Sequence, residues 1–428
     1  MIKKIADVLM LLALFACLVI PCALMNNEKM VFSEYDNRFL RELPEKFDSV
    51  KEHNEEVEAY LMDRVAFRNE LISLHGVTNS VLFADLSDTL YEYGLEGHAF
   101  FAFEEEEADM EYLTDYADYV ASMNRYCIDR GVPFVYVNTP DKKHVYSQFV
   151  PDYVPAPLND FEYLAPLLEE REVPYIDLGD ALRAAYAGGN EVFHQVYDVG
   201  HWNSEGALVG AQTIISYLQS LGLNVEQPDL KNDYKPVMEH HDYLPASAVY
   251  YPIDTYKYLH KENGKQAVNV TDQYDPLNMV RFYAYNLWES PNCGNDLNLL
   301  MFQGSYFNTQ GTILYNQFAR TECIHAYENI FNIDEYFNMF NPDIVVFESA
   351  DYVINGNYYS PFFLQQGVLS QQELQWYGWG QEEEEEPDSA GDDESEEEGE
   401  GEAEEALSPE QQQWLIFRGD SDPLYFRR

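Results

Sequence analysis

The sequence predicts an α/β fold, a parallel sheet sandwiched by helices. An N-terminal transmembrane helix precedes it and a disordered acidic segment follows it. Three observations predict this arrangement. Between residues 111 and 221, short β-rich runs alternate with helical repeats over brief links, the pattern of strands buried on both faces. Val8 to Met25 is an unbroken apolar run of 18 residues behind Lys3 and Lys4. Residues 382–405 hold 16 acids in 24 positions, which leaves no apolar surface to bury.

The 428 residues carry 25 Lys+Arg against 76 Asp+Glu, a formal net charge of −51. Such a field repels phosphate backbones and argues against nucleic acid as a main partner. Hydrophobic residues make up 46% and aromatics 15%, enough to build a large core rather than a disordered chain. The five cysteines, Cys17, Cys22, Cys127, Cys293 and Cys323, show no CxxC or Cys/His zinc spacing. No metal and no cofactor is expected. A Cys293–Cys323 disulfide and buried free thiols both remain open, the second being ordinary for scattered cysteines.

The elements follow in order. At 1.5 Å per residue the apolar run reaches roughly 27 Å, close to a bilayer core. The two lysines before it favour a cytoplasmic N-terminus, so the chain after Asn26 is expected outside. An uncleaved anchor over residues 1–27 is the expectation, with a signal peptide cut after Ala23 as the alternative. Residues 28–90 read as a helical leading segment, with Val57, Tyr60, Leu61, Val65, Phe67, Leu71 and Leu74 at helical spacing. Tyr91–Phe103 reads as a strand and turn around Gly94 and Gly97, and Glu104–Glu107 as a solvated helix start.

The α/β domain is expected over 91–380. It contains a helix from Met110 to Arg130 closed by Gly131, a strand at 133–138 and a helix at 158–171. A strand at 173–178, a loop, and a helix from Ser204 to Leu221 closed by Gly222 follow. Residues 225–290, rich in Tyr, Asp and Asn, read as an irregular insertion with short hairpins. LNLLMF (297–302) and PDIVVFE (342–348) read as further strands, with a helix from about Asn308 between them. The tail, 381–428, is low-complexity and acidic. WLIF (414–417) within it is either docked or frayed.

Two loops carry chemistry. In YDVGHWNSEGA (197–207), Asp198 and His201 stand three apart before a helix whose N-cap is Asn203 or Ser204. The carboxylate can fix the imidazole tautomer and leave the other nitrogen as base. The alternative is a loop whose Asp and His bond only to backbone. Trp202 would wall such a site. In LNLLMFQGSYFNTQG (297–311), an apolar strand runs into Gln303, Gly304, Ser305 and Tyr306. A serine there sits at a strand's carboxyl end near a helix start, where backbone N–H groups meet a developing oxyanion. The alternative is a helix-capping serine. Gly304 would permit a tight turn and close substrate approach.

Further polar residues carry two readings each. Asn138 would donate to an oxyanion or form a turn. Tyr306 would line the pocket or pack under it. Lys142 or Lys143 would touch an acidic sugar or lie in a solvated loop. Arg38, Arg64 and Arg68 would form ion pairs in this acid-rich chain.

Several segments resemble the SGNH-hydrolase-like domain of the AlgX/AlgJ and DHHW group of polysaccharide O-acetyltransferases. SEYDNRFLRELP (33–44) resembles their E-N-R-x-L-x-x-x-P start, and YLMDRVAFRNELI (60–72) their D-R-x-x-F-R-x-x-L segment. YGLEGHAFF (93–101) resembles a G-K-D-G-W-L-F turn. FVYVNTPDKKHVYSQFVP (134–151) resembles a strand ending in P-x-K-x-x-x-Y. DVGHWNSEGA (198–207) resembles a D-x-H-W-N-x-x-G-A loop, FQGSYF (302–307) a G-x-S-Y or D-S-F turn, and PDIVVFE (342–348) the closing strand. The resemblance runs from about 33 to 355. It departs from the group in one extra residue between Asp198 and His201, in Gln303-Gly304 before the serine, and in ESADY (348–352), which lacks an acid–arginine pair.

The resemblance implies an SGNH, flavodoxin-like sheet with Ser305 as nucleophile, His201 as base and Asp198 as its orienter. It implies an extracytoplasmic acyltransferase, anchored in the cytoplasmic membrane, that places acetyl on a cell-envelope polysaccharide. An esterase with the same triad, or a degenerate glycan-binding scaffold, is the alternative. Acyl-coenzyme A does not cross a bilayer, and one apolar span offers no transport path. A membrane-bound O-acyltransferase partner is therefore expected to supply the acyl group.

Overall fold

A computed structural model describes residues 10–11, 14–15, 19–33, 38–43, 50–83, 91–103, 107–154, 158–241, 253–262, 264–271, 285–325, 327–354 and 358–377. The apolar run is covered only in pieces. The acidic tail, WLIF and the stretch 104–106 lie outside the described residues. Among the described residues no helix is long and apolar enough to cross a membrane.

The leading segment is a two-residue hairpin, β1 (Phe32–Ser33) with β2 (Arg38–Phe39), and two helices, α1 (Val50–Arg64) and α2 (Arg68–Phe83). The residues at helical spacing are not all covered: Phe67, Leu71 and Leu74 are exposed. Arg64 is buried: its Nε donates to Arg41 O at 2.7 Å, and its guanidinium lies 3.7 Å from Glu42. Arg68 pairs with Asp63 at 4.0 Å. The Arg38 side chain lies outside what is described.

A short hairpin, β3 (Tyr91–Tyr93) with β4 (Ala99–Phe101), precedes the main domain. The seven-stranded sheet runs β6-β5-β13-β11-β12-β10-β9. Its members are β5 (Phe134–Thr139), β6 (Tyr175–Asp177), β9 (Val268–Asn269), β10 (Tyr285–Glu289), β11 (Asn298–Gln303), β12 (Arg320–His325) and β13 (Ile344–Ala350). The five strands from β6 to β12 are parallel, and β10 and β9 close one edge antiparallel. Every residue of β5 and β13 is buried, as strands covered on both faces must be. Helix α3 (Met110–Ile128), capped by Asp109, packs on α4 (Asp160–Glu170) and on β5. Helix α5 (Gly179–Ala187) packs on α6 (Ser204–Ser220).

Several elements differ from those expected. Within 225–290, read as irregular with short hairpins, the described residues form an eight-residue ribbon, β7 (Tyr234–His241) with β8 (Ile253–His260), in unbroken antiparallel register, and supply β9 and β10 to the sheet. Polar and aromatic residues alternating on a half-exposed ribbon conceal its period of two. Strand β12 was not foreseen, because RTECIH reads as polar although five of its residues are buried, Glu322 among them. The loop expected between Leu178 and Ser204 opens with a helix over Gly179–Ala187 and is a loop from there on. The helix expected from Asn308 is instead α7 (Tyr306–Gln310). The described cysteines, Cys22, Cys127, Cys293 and Cys323, are free, so no Cys293–Cys323 disulfide exists.

Candidate active site

Three adjacent strand ends build the floor. Asn138 and Thr139 end β5, Glu348 lies on β13, and Gln303 ends β11. Ser305 follows β11 as the N-cap residue of α7 and is 8% exposed.

The facing loop, 191–203, is fastened at both ends. Asn203 N–H donates to Val192 O at 3.0 Å, and Asn203 Nδ2 to Glu191 O at 2.8 Å. Asn203 Oδ1 caps α6 by accepting from Glu205 and Gly206 N–H, which satisfies donors a helix start leaves open. The Tyr146 hydroxyl accepts the Val192 N–H at 2.9 Å. Trp202 is buried, and its indole Nε1 donates to Tyr306 O at 2.9 Å, tying the loop to α7. Gly206 and Gly210, one turn apart on α6, give the indole its seat. A Cβ on either would stand 2.6 Å from a Trp202 atom.

Out of this cinched loop project Asp198 and His201. Asp198 Oδ1 accepts from Gly200 and His201 N–H, both at 3.1 Å. His201 Nδ1 lies 3.0 Å from Asp198 Oδ2. His201 Nε2 lies 2.8 Å from Ser305 Oγ. Burial alone would raise the Asp198 carboxyl, but the His201 charge and hydrogen bonds outweigh it and hold it at about 2. An ionised Asp198 keeps the proton on Nδ1, leaving Nε2 as acceptor toward the serine hydroxyl.

The remaining residues named from the sequence take other places. Tyr306 is fully buried and donates to Pro140 O at 3.0 Å, with its ring edge-on to His201 at 5.2 Å. It packs under the imidazole and does not line a pocket. Trp202 supports the loop from within. Asn138 Nδ2 donates to Asp177 Oδ1 on β6 at 3.1 Å, so its amide N–H is turned to the neighbouring strand. Gly304 N–H donates to Glu348 Oε2 at 2.6 Å and is not free for an oxyanion. Helix α7, with five residues, adds little dipole. Asn308, three residues after Ser305, has a buried Nδ2 with no partner among the described residues.

Sequence reasoning missed two buried charges. Lys142, read as touching an acidic sugar or lying in a solvated loop, is fully buried. Its Nζ donates to Ala99 O at 2.7 Å and Gln195 O at 2.9 Å, with the Phe100 ring 5.0 Å away. Burial lowers it to about 7, against the opposing pull of Asp198 and Asp141. Lys143 pairs with Asp141 at 3.8 Å. Glu348, fully buried, accepts from Thr139 Oγ1 at 2.7 Å as well as from Gly304. Burial pushes its carboxyl up to about 7, although both hydrogen bonds and the His201 charge pull it down. The one available signal was an acid inside an otherwise apolar strand, IVVFE. Among the described residues no cluster of ligands fit for a metal occurs.

Residues 99–243 match a family described as ALGX: SGNH hydrolase-like domain, acetyltransferase AlgX. The match includes Asp198 and His201 and ends before Ser305. The resemblance to the SGNH-hydrolase-like AlgX group is thereby shown over that stretch. No curated protein matches the chain. Among solved structures the chain is similar to Bacillus cereus PatB1, at 15% identity and TM-score 0.48, over 62% of this chain and 97% of that one. It is also similar to the O-acetyltransferase domain of Pseudomonas putida AlgJ, at 15% and 0.45, over 64% and 97%. A DHHW family protein from Eubacterium siraeum is similar at 14% and 0.47, over 67% and 98%.

Proposed function

We propose that this chain is a membrane-anchored, extracytoplasmic O-acyltransferase that moves an acetyl group onto a hydroxyl of a cell-envelope polysaccharide. The observation that carries the reading is the line from Ser305 Oγ through His201, 2.8 Å away, to Asp198, 3.0 Å beyond. That line is a nucleophile, a base and an orienter within hydrogen-bond reach.

Ser305 Oγ attacks the acyl carbonyl while His201 Nε2 takes its proton. The leaving group departs with that proton, and the acyl group stays on Ser305. A sugar hydroxyl then gives its proton to Nε2 and attacks the acyl-serine, which regenerates the hydroxyl. Asp198 holds the imidazole through both halves. The acyl group reaches Ser305 from a membrane-bound O-acyltransferase partner, and the 8–25 span keeps the two at high effective concentration.

The test incubates the full chain with p-nitrophenyl acetate and a panel of neutral and acidic oligosaccharides. Release of p-nitrophenol with acetyl found on a sugar, both lost in Ser305→Ala, is the expected result. Acetyl delivered only to water makes the chain an esterase. No release at all leaves a glycan-binding scaffold. In cells, deleting the partner while this chain is still exported abolishes glycan acetylation. Undiminished, Ser305-dependent acetylation rules the partnership out. Protease added to intact spheroplasts digests the acidic domain; protection until lysis contradicts the topology.

A further inference from the structure

The stripe of exposed apolar residues on the leading helices has no use in the acyl-transfer reading. Phe67, Leu71, Leu74 and Val81 are 50%, 57%, 62% and 74% exposed. Their steps of four, three and seven residues place Leu71, Leu74 and Val81 on one face of α2, with Phe67 just before it. Leu82 and, near the end of α1, Met62 are exposed as well. Helix α2 has one acid, Glu70, and one base, Arg68, in sixteen residues, within a chain of net charge −51. An exposed apolar face of this kind, broken only by Thr78 between Leu74 and Val81, marks an interaction surface.

The place of the stripe identifies what covers it. Pro21 O, near the end of the apolar run, accepts the Ala66 N–H at 3.1 Å, and Asn26 N–H donates to Arg64 O at 3.0 Å. The buried Arg64 guanidinium returns bonds to Asn26 O, at 3.4 Å, and to Glu28 O. The end of the run is therefore fastened to the α1–α2 corner, and the stripe begins at that corner with Phe67.

We propose that α2 is an interfacial helix, its Leu71–Leu74–Val81 face lying in the lipid surface from which the N-terminal span emerges. This rests on reading 8–25 as a membrane span. A helix lying in the interface buries its apolar face roughly 5–10 Å into the headgroup–acyl boundary. Anionic lipid repels the acidic bulk of this chain, whereas a helix with one charge of each sign meets no such barrier. The lipid contact adds a second attachment to the span and orients the leading segment on the membrane.

The test places a nitroxide label on the full chain in vesicles of phosphatidylcholine with a minority of phosphatidylglycerol. Cys17→Ser and Cys22→Ser clear the background, since Cys127, Cys293 and Cys323 are buried. Leu74→Cys and Val81→Cys report the stripe, Phe15→Cys the span, and Asp180→Cys, whose parent side chain is 92% exposed, bulk water. At positions 74 and 81, as at 15, collisions with oxygen should exceed those with a water-soluble nickel chelate several-fold, and position 180 should show the reverse.

Water-like collisions at 74 and 81 with lipid-like collisions at 15 overturn the docking and leave the span standing. Water-like collisions at 15 as well overturn the span and the docking with it. Spin–spin broadening at 74 that disappears on dilution with unlabelled chain assigns the face to a second copy and also overturns the proposal.

Discussion

Gly304 N–H donates to the Glu348 carboxylate at 2.6 Å, so the turn that carries Ser305 hangs from the strand beside it. Gly304 has no Cβ to keep that carboxylate away; one would stand 3.3 Å from Oε2. The bond joins residues 44 positions apart and sets the backbone on which the nucleophile stands.

Glu348 makes stability depend on pH. Burial raises its folded-state pKa to about 7, against about 4.3 unfolded. Between those values the folded chain holds more protons than the unfolded one. The contribution is fully present below about pH 4.3 and is lost as pH rises through about 7, costing on the order of 1–3 kcal/mol. Glu348→Gln should lose this component, which urea unfolding at pH 5 and pH 8 checks. An unchanged difference between the two pH values contradicts it.

Asp198→Asn keeps the shape of the dyad but favours the wrong imidazole tautomer. The rate of acyl transfer should fall roughly 10³–10⁴-fold, with little change in unfolding midpoint. Ser305→Ala should abolish acyl-enzyme formation outright. Steady-state rates alongside mass spectrometry of the peptide containing Ser305 measure both. A fall of less than about tenfold in Asp198→Asn argues against Asp198 as orienter.

Lys142 joins β4 to the 191–203 loop through Ala99 O and Gln195 O. Lys142→Met removes the donor to the buried Ala99 carbonyl, which costs about 1–3 kcal/mol, while Gln195 O keeps the Ala99 N–H at 2.9 Å. Stability should drop and the rate should fall with it. The folded-state pKa of about 7 lies below the unfolded value of about 10.4. The folded chain therefore holds fewer protons between these values, and stability gains from this group as pH rises from about 7 to 10. Thermal melts of wild type and Lys142→Met at pH 7 and pH 9.5 test this, since the variant should lack the rise.

Gly210→Ala should damage the site from a distance. The new Cβ would lie 2.6 Å from the Trp202 ring, a contact that packed aromatic atoms relieve only by moving. A cost of about 1–3 kcal/mol is expected, with a loss of rate as the indole pulls on Tyr306 and His201. Crystal structures of the variant and its melting curve measure the two effects. Full activity with Trp202 unmoved refutes the coupling.

The sequence by itself determined the elements whose cause is local. The unbroken apolar runs of β5, β11 and β13 declare strands covered on both faces. Asn203, with two helix N–H groups to satisfy, declares the start of α6. Asp198, His201 and Ser305 were nameable because their loops follow from the chain on either side of them. The stacking of α/β units then brings those loops to one sheet edge.

Only the tertiary structure decided what depends on distant partners. β12 exists because β10 and β11 pair with it and bury a polar-looking sequence. The β7–β8 ribbon is held by cross-strand pairs up to 26 residues apart, Tyr234 with His260 at its base. Lys142 reads as a loop charge and Glu348 as the acid ending an apolar strand, and their burial depends on hydrogen bonds from residues 43, 53, 44 and 209 positions away. A buried charge is tolerated where such bonds replace water. The pairing is fixed by the packed fold and not by the residue's own neighbours.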